Sequence, residues 1–455
     1  MILKTEIWSS RTSFLFATIG CSVGLGNLWR FPYIAGENGG GAFVLIYIGF
    51  VLLIGIPVIM AELAIARRGR SNPVATTAGI SLAEAGHSRW QIIGWLSIIA
   101  PLIGLSFYAV VSGWALEYLL LAAGDQFTGI SDSEAEAMFA NVLASPGRML
   151  FCYSLVIVSV AFVVGSGVRN GIERVSKFMM PALFLLLVGL AGYACMVGNV
   201  SAAVSFLFEP DFSGLTAQGI LMAFGQALFS LAVGTGAMLA YGAYLPADTS
   251  IPGAAWTIGL ADTSAALLAG MLIFPVVFAS GLNPAEGPGL IFVTLPMAFS
   301  EMPGGQLFGT LFFLLIFFAA YTSGLGMMEP FVSWLEDRPN WTRRWAALFA
   351  AVLIWLLGLA AVFSFNLWRN FTPLDMIPQM QGRTVFSILD YVTSNLMLPI
   401  NAFMIALLAG WVINSNRMRE DIGIRENFSW YVWKYSVRFL APVAILSMFV
   451  ANLWE

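Results

Sequence analysis

The sequence predicts an all-α polytopic membrane protein. Of its 455 residues, 59% are hydrophobic and only 10% are charged, and its mean hydropathy is +0.84, values that exclude a soluble globule. Apolar runs of about twenty residues, the length of a helix that crosses a bilayer, recur along the chain, and we count about eleven of them. The predicted spans are 12–35, 41–66, 89–122, 148–164, 175–197, 216–244, 254–280, 306–334, 342–365, 384–413 and 430–453.

The first span is interrupted by the stretch GCSVGLGNLWRFP at residues 20–32. An ordinary spanning helix does not tolerate this density of glycine and proline, because each freed backbone group is costly in hydrocarbon unless it faces protein, water or a ligand. We therefore predict a broken helix that exposes the carbonyls of Gly20, Ser22 and Val23 and, beyond them, amides near Gly26. Carbonyls attract cations and amides attract anions, so one break can hold both a sodium ion and a carboxylate near the bilayer midplane.

The sixth span repeats this signature. In FSLAVGTGAM, Gly234 and Gly236 interrupt an apolar run. Broken helices in corresponding positions of two halves indicate a transporter binding site. The first five and the next five predicted spans then form two five-helix repeats, and the odd number requires the second repeat to be inverted. Within a single transporter domain at 1–455, we assign the first repeat to 1–197, the second to 216–413 and an additional C-terminal helix to 430–453.

Lysine and arginine residues predict the orientation. If the N-terminus is cytoplasmic, only Arg30, Arg148, Arg369 and Arg383 lie outside. This asymmetry predicts a multi-pass protein of the plasma (inner) membrane with a cytoplasmic N-terminus and, after an odd number of spans, an outside C-terminus. The inside segments carry Lys4, Arg11, Arg67, Arg68, Arg70, Arg89, Arg169, Arg174, Lys177, Arg338, Arg343, Arg344, Arg417, Arg419, Arg425, Lys434 and Arg438.

The remaining polar residues exclude several function classes. Cys21, Cys152 and Cys195 all lie in apolar segments, so neither a disulfide framework nor a zinc site is indicated. His87, the only histidine, falls in a predicted cytoplasmic loop, and no nucleophile with a base or metal cluster lies inside the spans, which argues against an enzyme. The net charge of -4 gives no indication of nucleic-acid binding.

The run GLGNLWRFPY, followed by ENGGGAF at residues 37–43, resembles the neurotransmitter:sodium symporter family of the solute carrier 6 type. It is most similar to the bacterial amino-acid transporters of the leucine-transporter fold, in the eleven-span branch, and the resemblance covers essentially the whole chain. This resemblance implies a sodium-coupled amino-acid symporter that works by alternating access in the lipid bilayer. Sodium, at two sites, is the only implied metal, and no cofactor is implied.

Asp262 is the sharpest candidate for an ion site. It lies inside the apolar run WTIGLADTSAALLAG, where a central charge costs about 2.5 to 3.5 kcal/mol on insertion scales. It matches a sodium-site position of the family, and the resemblance implies a first sodium site made of hard oxygen ligands. The alternative is a protonated Asp262 carboxyl that is hydrogen-bonded inside the bundle. The implied ligands are Asp262, Asn27, Ser230 and the Ser22 carbonyl.

Asp262 also predicts that chloride is not required. Chloride-dependent members of the family supply a negative charge near this site with a bound anion, whereas chloride-independent bacterial members supply it with a carboxylate. Tyr47 and Gln226 nevertheless match family positions that lie near the anion.

A second sodium site is implied by FFAAYTSGLGMMEP in the eighth span. Its adjacent hydroxyls resemble those of the family's second site, where they act together with backbone carbonyls. Hydroxyls in membrane helices more often bond to their own helical turn, so the pair alone is weak evidence. The implied ligands are Gly20, Val23, Ala319, Thr322 and Ser323.

The resemblance also implies a substrate pocket. Gly24 stands where monoamine transporters carry an Asp that replaces the carboxylate that amines lack, so Gly24 favours an amino acid. Tyr108 matches a tyrosine that donates to this carboxylate, and Phe229 matches an aromatic residue that closes over the substrate. Small residues and the adaptable Met327 leave room for a large hydrophobic or aromatic L-amino acid. The implied pocket residues are Ser22, Gly24, Leu25, Gly26, Gly104, Tyr108, Phe229, Ser230, Ala232, Thr235, Ser323 and Met327.

Arg30 and Asp390 match the outer gate of the family, a pair whose closure excludes water. Glu62 lies in the second span, and we expect it to accept a hydrogen bond from the backbone of a broken helix rather than to bind an ion. The segment 281–305 is too apolar for a free loop; it predicts either a capping loop in the outer vestibule or a surface loop packed on the bundle. In the fifth span, Gly171 and Pro181 either let the cytoplasmic end unwind or only kink it.

The inner gate departs from the family pattern. Thr5 occupies the position of the family's N-terminal arginine, whose partner would be Asp337. Lys4 and Arg11 are the remaining candidate partners. The residues that match the inner gate are Trp8, Tyr244 and Asp337.

Two other functions remain open. A proton-coupled carrier on the same fold would use Asp262 as its titratable group, and uptake driven by a pH gradient without sodium would favour it. A sensor that binds an amino acid without translocating it would share the same residues. The sequence does not predict the oligomeric state.

Overall fold

A computed structural model of the chain describes residues 6–282 and 289–454, and within these ranges it consists of helices joined by turns, with no strand. The helices are α1 (Arg11–Ser22), α2 (26–37), α3 (Gly41–Gly69), α4 (Pro73–Ala85), α5 (Gln91–Ala123), α6 (Asp132–Ala144), α7 (Pro146–Gly165), α8 (Val168–Val197), α9 (Val200–Phe208), α10 (Ala217–Ser230), α11 (Ala237–Gly242), α12 (Ile251–Ala279), α13 (Leu290–Glu301), α14 (Gly305–Glu336), α15 (Arg343–Phe363), α16 (Val385–Val412), α17 (Ser415–Ile422) and α18 (428–454).

Nine helices of the described chain are long and apolar enough to cross a membrane, which confirms the polytopic all-α class. The two segments predicted to be broken are both divided: α1 is separated from α2, and α10 from α11. The total of eleven spans stays a prediction. The fifth span begins at Val168 rather than near residue 175, because a π-helical turn, Val168–Glu173, precedes its regular helix.

The two long helices α5 and α14 pack against each other more extensively than any other pair in the described chain. Pro181 lies inside the continuous helix Arg174–Val197, so the start of the fifth span, which was predicted to be its cytoplasmic end, is wound in this structure. Tight helix contacts depend on glycine in places: a Cβ on Gly326 of α14 would lie 2.3 Å from the Cys21 sulfur of α1. This packing holds the first break against the centre of the bundle.

The segment after α12 packs against other helices of the bundle. Its helix α13 carries Phe292, which is 1% exposed. The Phe292 ring stacks on Phe139 at 5.4 Å and meets Tyr118 and Trp114 edge-on at 5.1 and 5.8 Å. The described part of this segment is therefore inserted among other helices, as a capping loop requires. Pro284 and Pro288 lie outside the described residues.

Candidate functional site

The first break lies where α1 stops. Ser22 is its last residue, and Val23 leaves the helix in an extended conformation with φ −71° and ψ 96°. In a continuous helix the Gly24 N–H would bond to the Gly20 carbonyl. Here it donates to Oδ1 of Asn27 at 3.0 Å. The Gly20 carbonyl is thereby released from the helical ladder, as the glycine-rich sequence predicts.

The next amide is also diverted. The Leu25 N–H donates to the hydroxyl of Tyr108 at 3.1 Å, whereas a continuous helix would direct it to the Cys21 carbonyl. Tyr108 lies on α5 and is 8% exposed. A hydroxyl that already accepts from the backbone keeps its own proton for another acceptor, and a substrate carboxylate is such an acceptor.

The second break is held by two side chains from other helices. Between α10 and α11 the backbone turns through positive φ at Ala232 (53°), Gly234 (78°) and Gly236 (78°). The Gly234 N–H donates to Oε1 of Glu62 at 2.8 Å, and Nδ2 of Asn401 donates to the Gly234 carbonyl at 2.7 Å. The expectation that Glu62 accepts from the backbone of a broken helix is confirmed.

Three of the residues predicted for the first sodium site form one buried cluster. Nδ2 of Asn27 lies 2.8 Å from Ser230 Oγ and 2.9 Å from Asp262 Oδ1. The Ser230 hydroxyl donates to Asp262 Oδ2 at 2.6 Å, and the Tyr47 hydroxyl donates to the same oxygen at 3.3 Å. All four side chains are at most 1% exposed. The Ser22 hydroxyl turns instead to the carbonyls of Thr18 and Leu231.

The Asp262 carboxylate has no cationic side chain as a partner. Within residues 6–282 and 289–450, no lysine or arginine forms an ion pair with it. A buried carboxylate needs a compensating charge or a proton. The oxygens of the Asp262 carboxylate and the Ser230 hydroxyl are hard ligands that suit a sodium ion. Asn27 directs its amide nitrogen at this cluster, while its Oδ1 accepts from the Gly24 N–H.

The second predicted ion site links α1 with α14. The Ser323 hydroxyl lies 3.1 Å from the Ala319 carbonyl in its own helix and 3.4 Å from the Gly20 carbonyl across the interface. The Thr322 hydroxyl bonds to the carbonyls of Phe318 and Ala319 at 3.0 and 3.2 Å. Both hydroxyls therefore bond to their own turn, but Ser323 also meets the carbonyl that the first break released. No hydrogen bond among the described residues joins Val23 to this group.

A cavity lies between the two breaks. All predicted substrate-binding residues line it except Ser230, which lies in the cluster around Asp262, and Leu25, which faces the next cavity outward. The sequence analysis missed the contribution of α16, although polar residues inside that apolar span were an available signal. The lining residues are Cys21, Ser22, Gly24, Gly26, Gly104, Phe107, Tyr108, Phe229, Ala232, Thr235, Ser323, Met327, Thr393, Ser394 and Leu398.

The outer gate residues line one shared cavity but do not touch. Arg30 and Asp390 both face the space above Phe229. The Arg30 guanidinium lies 4.5 Å from the centre of the Phe229 ring, and Asp390 accepts from the Ser394 hydroxyl at 2.8 Å. Among the residues that the structure describes, no ion pair joins Arg30 to Asp390. The aromatic ring, rather than the ion pair, separates the inner cavity from the outer one here.

Trp8 and Tyr244, two of the residues that match the inner gate, lie together. The indole Nε1 of Trp8 donates to the Tyr241 carbonyl at 3.0 Å, its backbone N–H donates to the Tyr244 carbonyl at 3.2 Å, and its side chain is 2% exposed. The Tyr244 hydroxyl donates to Glu329 at 2.8 Å. Glu329 in turn pairs with Arg343. The sequence analysis did not identify this buried ion pair.

Asp337 has other partners. It accepts from Nδ2 of Asn72 at 2.7 Å and from the Ser71 hydroxyl at 3.4 Å. In the described part of the chain it forms no ion pair, and Arg11 is not its partner. Lys4 and Thr5 lie outside the described residues. The N-terminal segment is instead hydrogen-bonded to α8, since the Ser9 N–H donates to Glu173 at 3.0 Å. Within α8, Glu173 also pairs with Lys177 at 2.6 Å.

The chain is similar to known proteins over nearly its whole length. The sodium:neurotransmitter symporter family matches the chain over residues 5–128 and 134–455. The sodium-dependent transporter YhdH of Bacillus subtilis is 35% identical over 98% of this chain and 97% of its own length. The bovine sodium-dependent dopamine transporter is 25% identical over 97% of this chain and 69% of its own length. A crystal structure of MhsT in complex with L-phenylalanine aligns with a TM-score of 0.90 at 38% identity, covering 99% of this chain and 100% of the other.

Proposed function

This chain belongs to the sodium:neurotransmitter symporter family, a family of sodium-dependent transporters rather than enzymes. From that premise we propose that it is a sodium-coupled symporter of large hydrophobic or aromatic L-amino acids. Two sodium ions order the site, the amino acid completes the first ion site, the outer gate closes, and cytoplasmic opening releases the sodium ion of the second site first. We also propose the inverted repeats 1–197 and 216–413, a cytoplasmic N-terminus and an outside C-terminus.

The observation that carries this proposal is that Asp262 is buried and forms no ion pair with a lysine or arginine in the described part of the chain. In the proposed cycle a sodium ion supplies the missing positive charge, with ligands from Asp262, Asn27 and Ser230 and from the Ser22 carbonyl. A second ion binds where Ser323 meets the Gly20 carbonyl. Its remaining proposed ligands are Val23, Ala319 and Thr322.

The substrate class rests on three features of the cavity. The Tyr108 hydroxyl and the amides of the first break offer donors to a carboxylate. Because residue 24 is glycine, this position offers no acidic side chain that could bind an amine lacking a carboxylate of its own. Gly104 and Ala232 are small, and Met327 is flexible, so the part of the cavity that they line can accommodate a large substrate side chain. The bound L-phenylalanine of MhsT, a protein similar to this chain along its whole length, supports the same class.

The proposal also concerns chloride. Asp262 provides the negative charge that would otherwise require an anion, and Tyr47 and Ser230 already donate to it. A chloride ion in the same place would be repelled by the carboxylate. We therefore propose that uptake does not depend on chloride.

Replacing Tyr108 by Phe is expected to raise the KM for amino-acid uptake about tenfold or more. The change removes the donor to the carboxylate and leaves the buried Leu25 N–H without its acceptor, a loss of about 1–3 kcal/mol. Tyr118→Phe is the matched control, since its buried hydroxyl has no hydrogen-bond partner among the residues that the structure describes. Uptake kinetics in proteoliposomes check this, and an unchanged KM in Tyr108→Phe would place the substrate carboxylate elsewhere.

Replacing Gly104 by Val is expected to reverse the size preference. A Cβ on Gly104 would lie 2.7 Å from the Met327 methyl and 3.4 Å from Thr393, so the added bulk fills the side-chain end of the cavity. Uptake of phenylalanine should fall about tenfold or more relative to alanine. Gly189→Val, where an added Cβ meets nothing within 4 Å, controls for expression and helix propensity. An equal loss for both amino acids would argue against this pocket.

Equilibrium binding to the purified protein tests the proposed function before transport is measured. Labelled L-phenylalanine should bind in sodium chloride and in sodium gluconate, but not in potassium or choline salts, and unlabelled leucine should compete better than glycine. Binding that ignores sodium but changes with pH would favour the proton-coupled carrier. Binding that requires chloride would contradict the role given to Asp262.

A further inference from the structure

Arg438 is a charged residue in an unexpected position. It lies well inside the membrane-spanning helix α18, eleven residues from Phe428 if both are counted. Its side chain is half-buried, and its Nε has no hydrogen-bond partner among the described residues. No ion pair involves Arg438 in the part of the chain that the structure describes. An arginine inside a span is normally paired, so the half-buried guanidinium is a candidate site for an anion from outside the described chain.

The surroundings of Arg438 place it at the lipid boundary rather than inside the bundle. Its guanidinium lies 4.2 Å from the centre of the Trp411 ring and 6.0 Å from that of Phe439. Trp411 is 52% exposed and Phe439 is 47% exposed. The Trp411 Nε1 donates to the Arg438 carbonyl at 2.9 Å. Gly410 permits this approach, because a Cβ there would lie 3.0 Å from the Arg438 Cα.

A second cation lies one helical turn closer to the start of α18. Lys434 precedes Arg438 by four residues, so both side chains share one face of the helix. Lys434 also forms no ion pair among the described residues. Tyr431 and Tyr435, both exposed, lie on the same part of the helix, and exposed aromatic residues of this kind mark the interface between lipid and water. In the proposed orientation this interface belongs to the cytoplasmic leaflet.

We propose that Arg438, Lys434 and the Trp411 ring form a binding site for the phosphate of an anionic phospholipid in the cytoplasmic leaflet. An arginine side chain can extend along the helix toward the interface and present its fork of N–H donors to phosphate oxygens. Trp411 holds the guanidinium flat by cation–π contact. The anionic headgroup supplies the negative charge that the described protein does not provide, and anionic lipids are attracted to such juxtamembrane basic residues.

The test compares lipid retention by the wild-type protein and by three variants, Arg438→Gln, Lys434→Gln and Arg419→Gln. Arg438→Gln removes the proposed phosphate ligand. Arg419→Gln removes a positive charge on the same side, but one that already pairs with Glu426. Each protein is reconstituted in nanodiscs of phosphatidylcholine with or without phosphatidylglycerol, extracted gently, and analysed by native mass spectrometry for bound phosphatidylglycerol.

The proposal expects wild type and Arg419→Gln to retain phosphatidylglycerol, Arg438→Gln to retain several-fold less, and Lys434→Gln to lose part of it. Thermal unfolding should show a midpoint shift on adding phosphatidylglycerol in wild type that Arg438→Gln lacks. Equal retention by Arg438→Gln, or equal loss in Arg419→Gln, would overturn the site. The same stabilisation by inorganic phosphate without lipid, or a dimer that breaks in Arg438→Gln, would overturn the lipid as its occupant.

Discussion

Replacing Asp262 by Ser is expected to lower sodium-driven uptake about 100-fold in chloride-free medium, and adding chloride is expected to restore a large part of it. The substitution removes the one fixed negative charge of the cluster. It leaves the hydrogens of Asn27, Tyr47 and Ser230 directed at the vacated space, since all three now donate to Asp262. Those donors suit an anion, and the anion restores the charge balance that a bound sodium ion needs.

The measurement is uptake of labelled phenylalanine in proteoliposomes with sodium chloride or sodium gluconate. Asp262→Asn keeps the size of the side chain, so it should lose uptake without recovering it in chloride. Asp248→Asn, on an exposed turn after α11, removes one carboxylate elsewhere and should behave as wild type. Full activity of Asp262→Ser without chloride would show that Asp262 is not needed at the ion site.

Replacing Gly24 by Ala is expected to reduce uptake at least about 100-fold. A Cβ at this position would lie 2.4 Å from the Ser323 Oγ and 2.8 Å from the Tyr108 hydroxyl, two groups proposed to bind the second sodium ion and the substrate carboxylate. Gly24 does not have a positive φ, so alanine fits the backbone, and the effect is a collision at the site. One methyl group would therefore disturb ion and substrate together.

Sodium-dependent binding and uptake of phenylalanine check this second prediction. Gly189→Ala, where the added methyl meets nothing within 4 Å, is the matched control. Gly24→Ala should bind sodium and phenylalanine more weakly while its elution profile in size-exclusion chromatography stays that of wild type. Wild-type binding by Gly24→Ala would mean that Gly24 does not face the substrate.

The two breaks and the importance of Asp262 could be predicted because their signals are local. Glycines inside an apolar run and a carboxylate inside a span both conflict with a plain membrane helix. The resemblance to the family, rather than a local signal, implied that Asn27 and Ser230 lie beside Asp262, and the three side chains do meet. The side chains that hold the breaks come from distant helices. Glu62 could be anticipated because it is a charge inside a span, whereas Asn401, a neutral polar residue inside the apolar span α16, is a weaker signal of the same kind and was missed.

The charged residues around the predicted inner gate show where sequence reasoning fails. Several basic and acidic residues lie near the start of α1, the end of α14 and the start of α15, and the choice among partners depends on how those ends pack. The structure pairs Arg343 with Glu329 and, at 3.0 Å, with Glu336. Asp337 instead accepts a hydrogen bond from Asn72. The start of α8 was placed too late for a related reason, because its first turn, 168–173, is polar and is stabilised by contacts with the N-terminal segment.

The most direct test of the central claim is accumulation of labelled L-phenylalanine in proteoliposomes under imposed sodium, potassium or proton gradients, with chloride replaced by gluconate. We expect phenylalanine to accumulate above its equilibrium level with an inward sodium gradient alone, and to the same level when gluconate replaces chloride. Accumulation driven by a proton gradient without sodium would make Asp262 a proton carrier. Binding without accumulation under any gradient would contradict transport and favour a sensor.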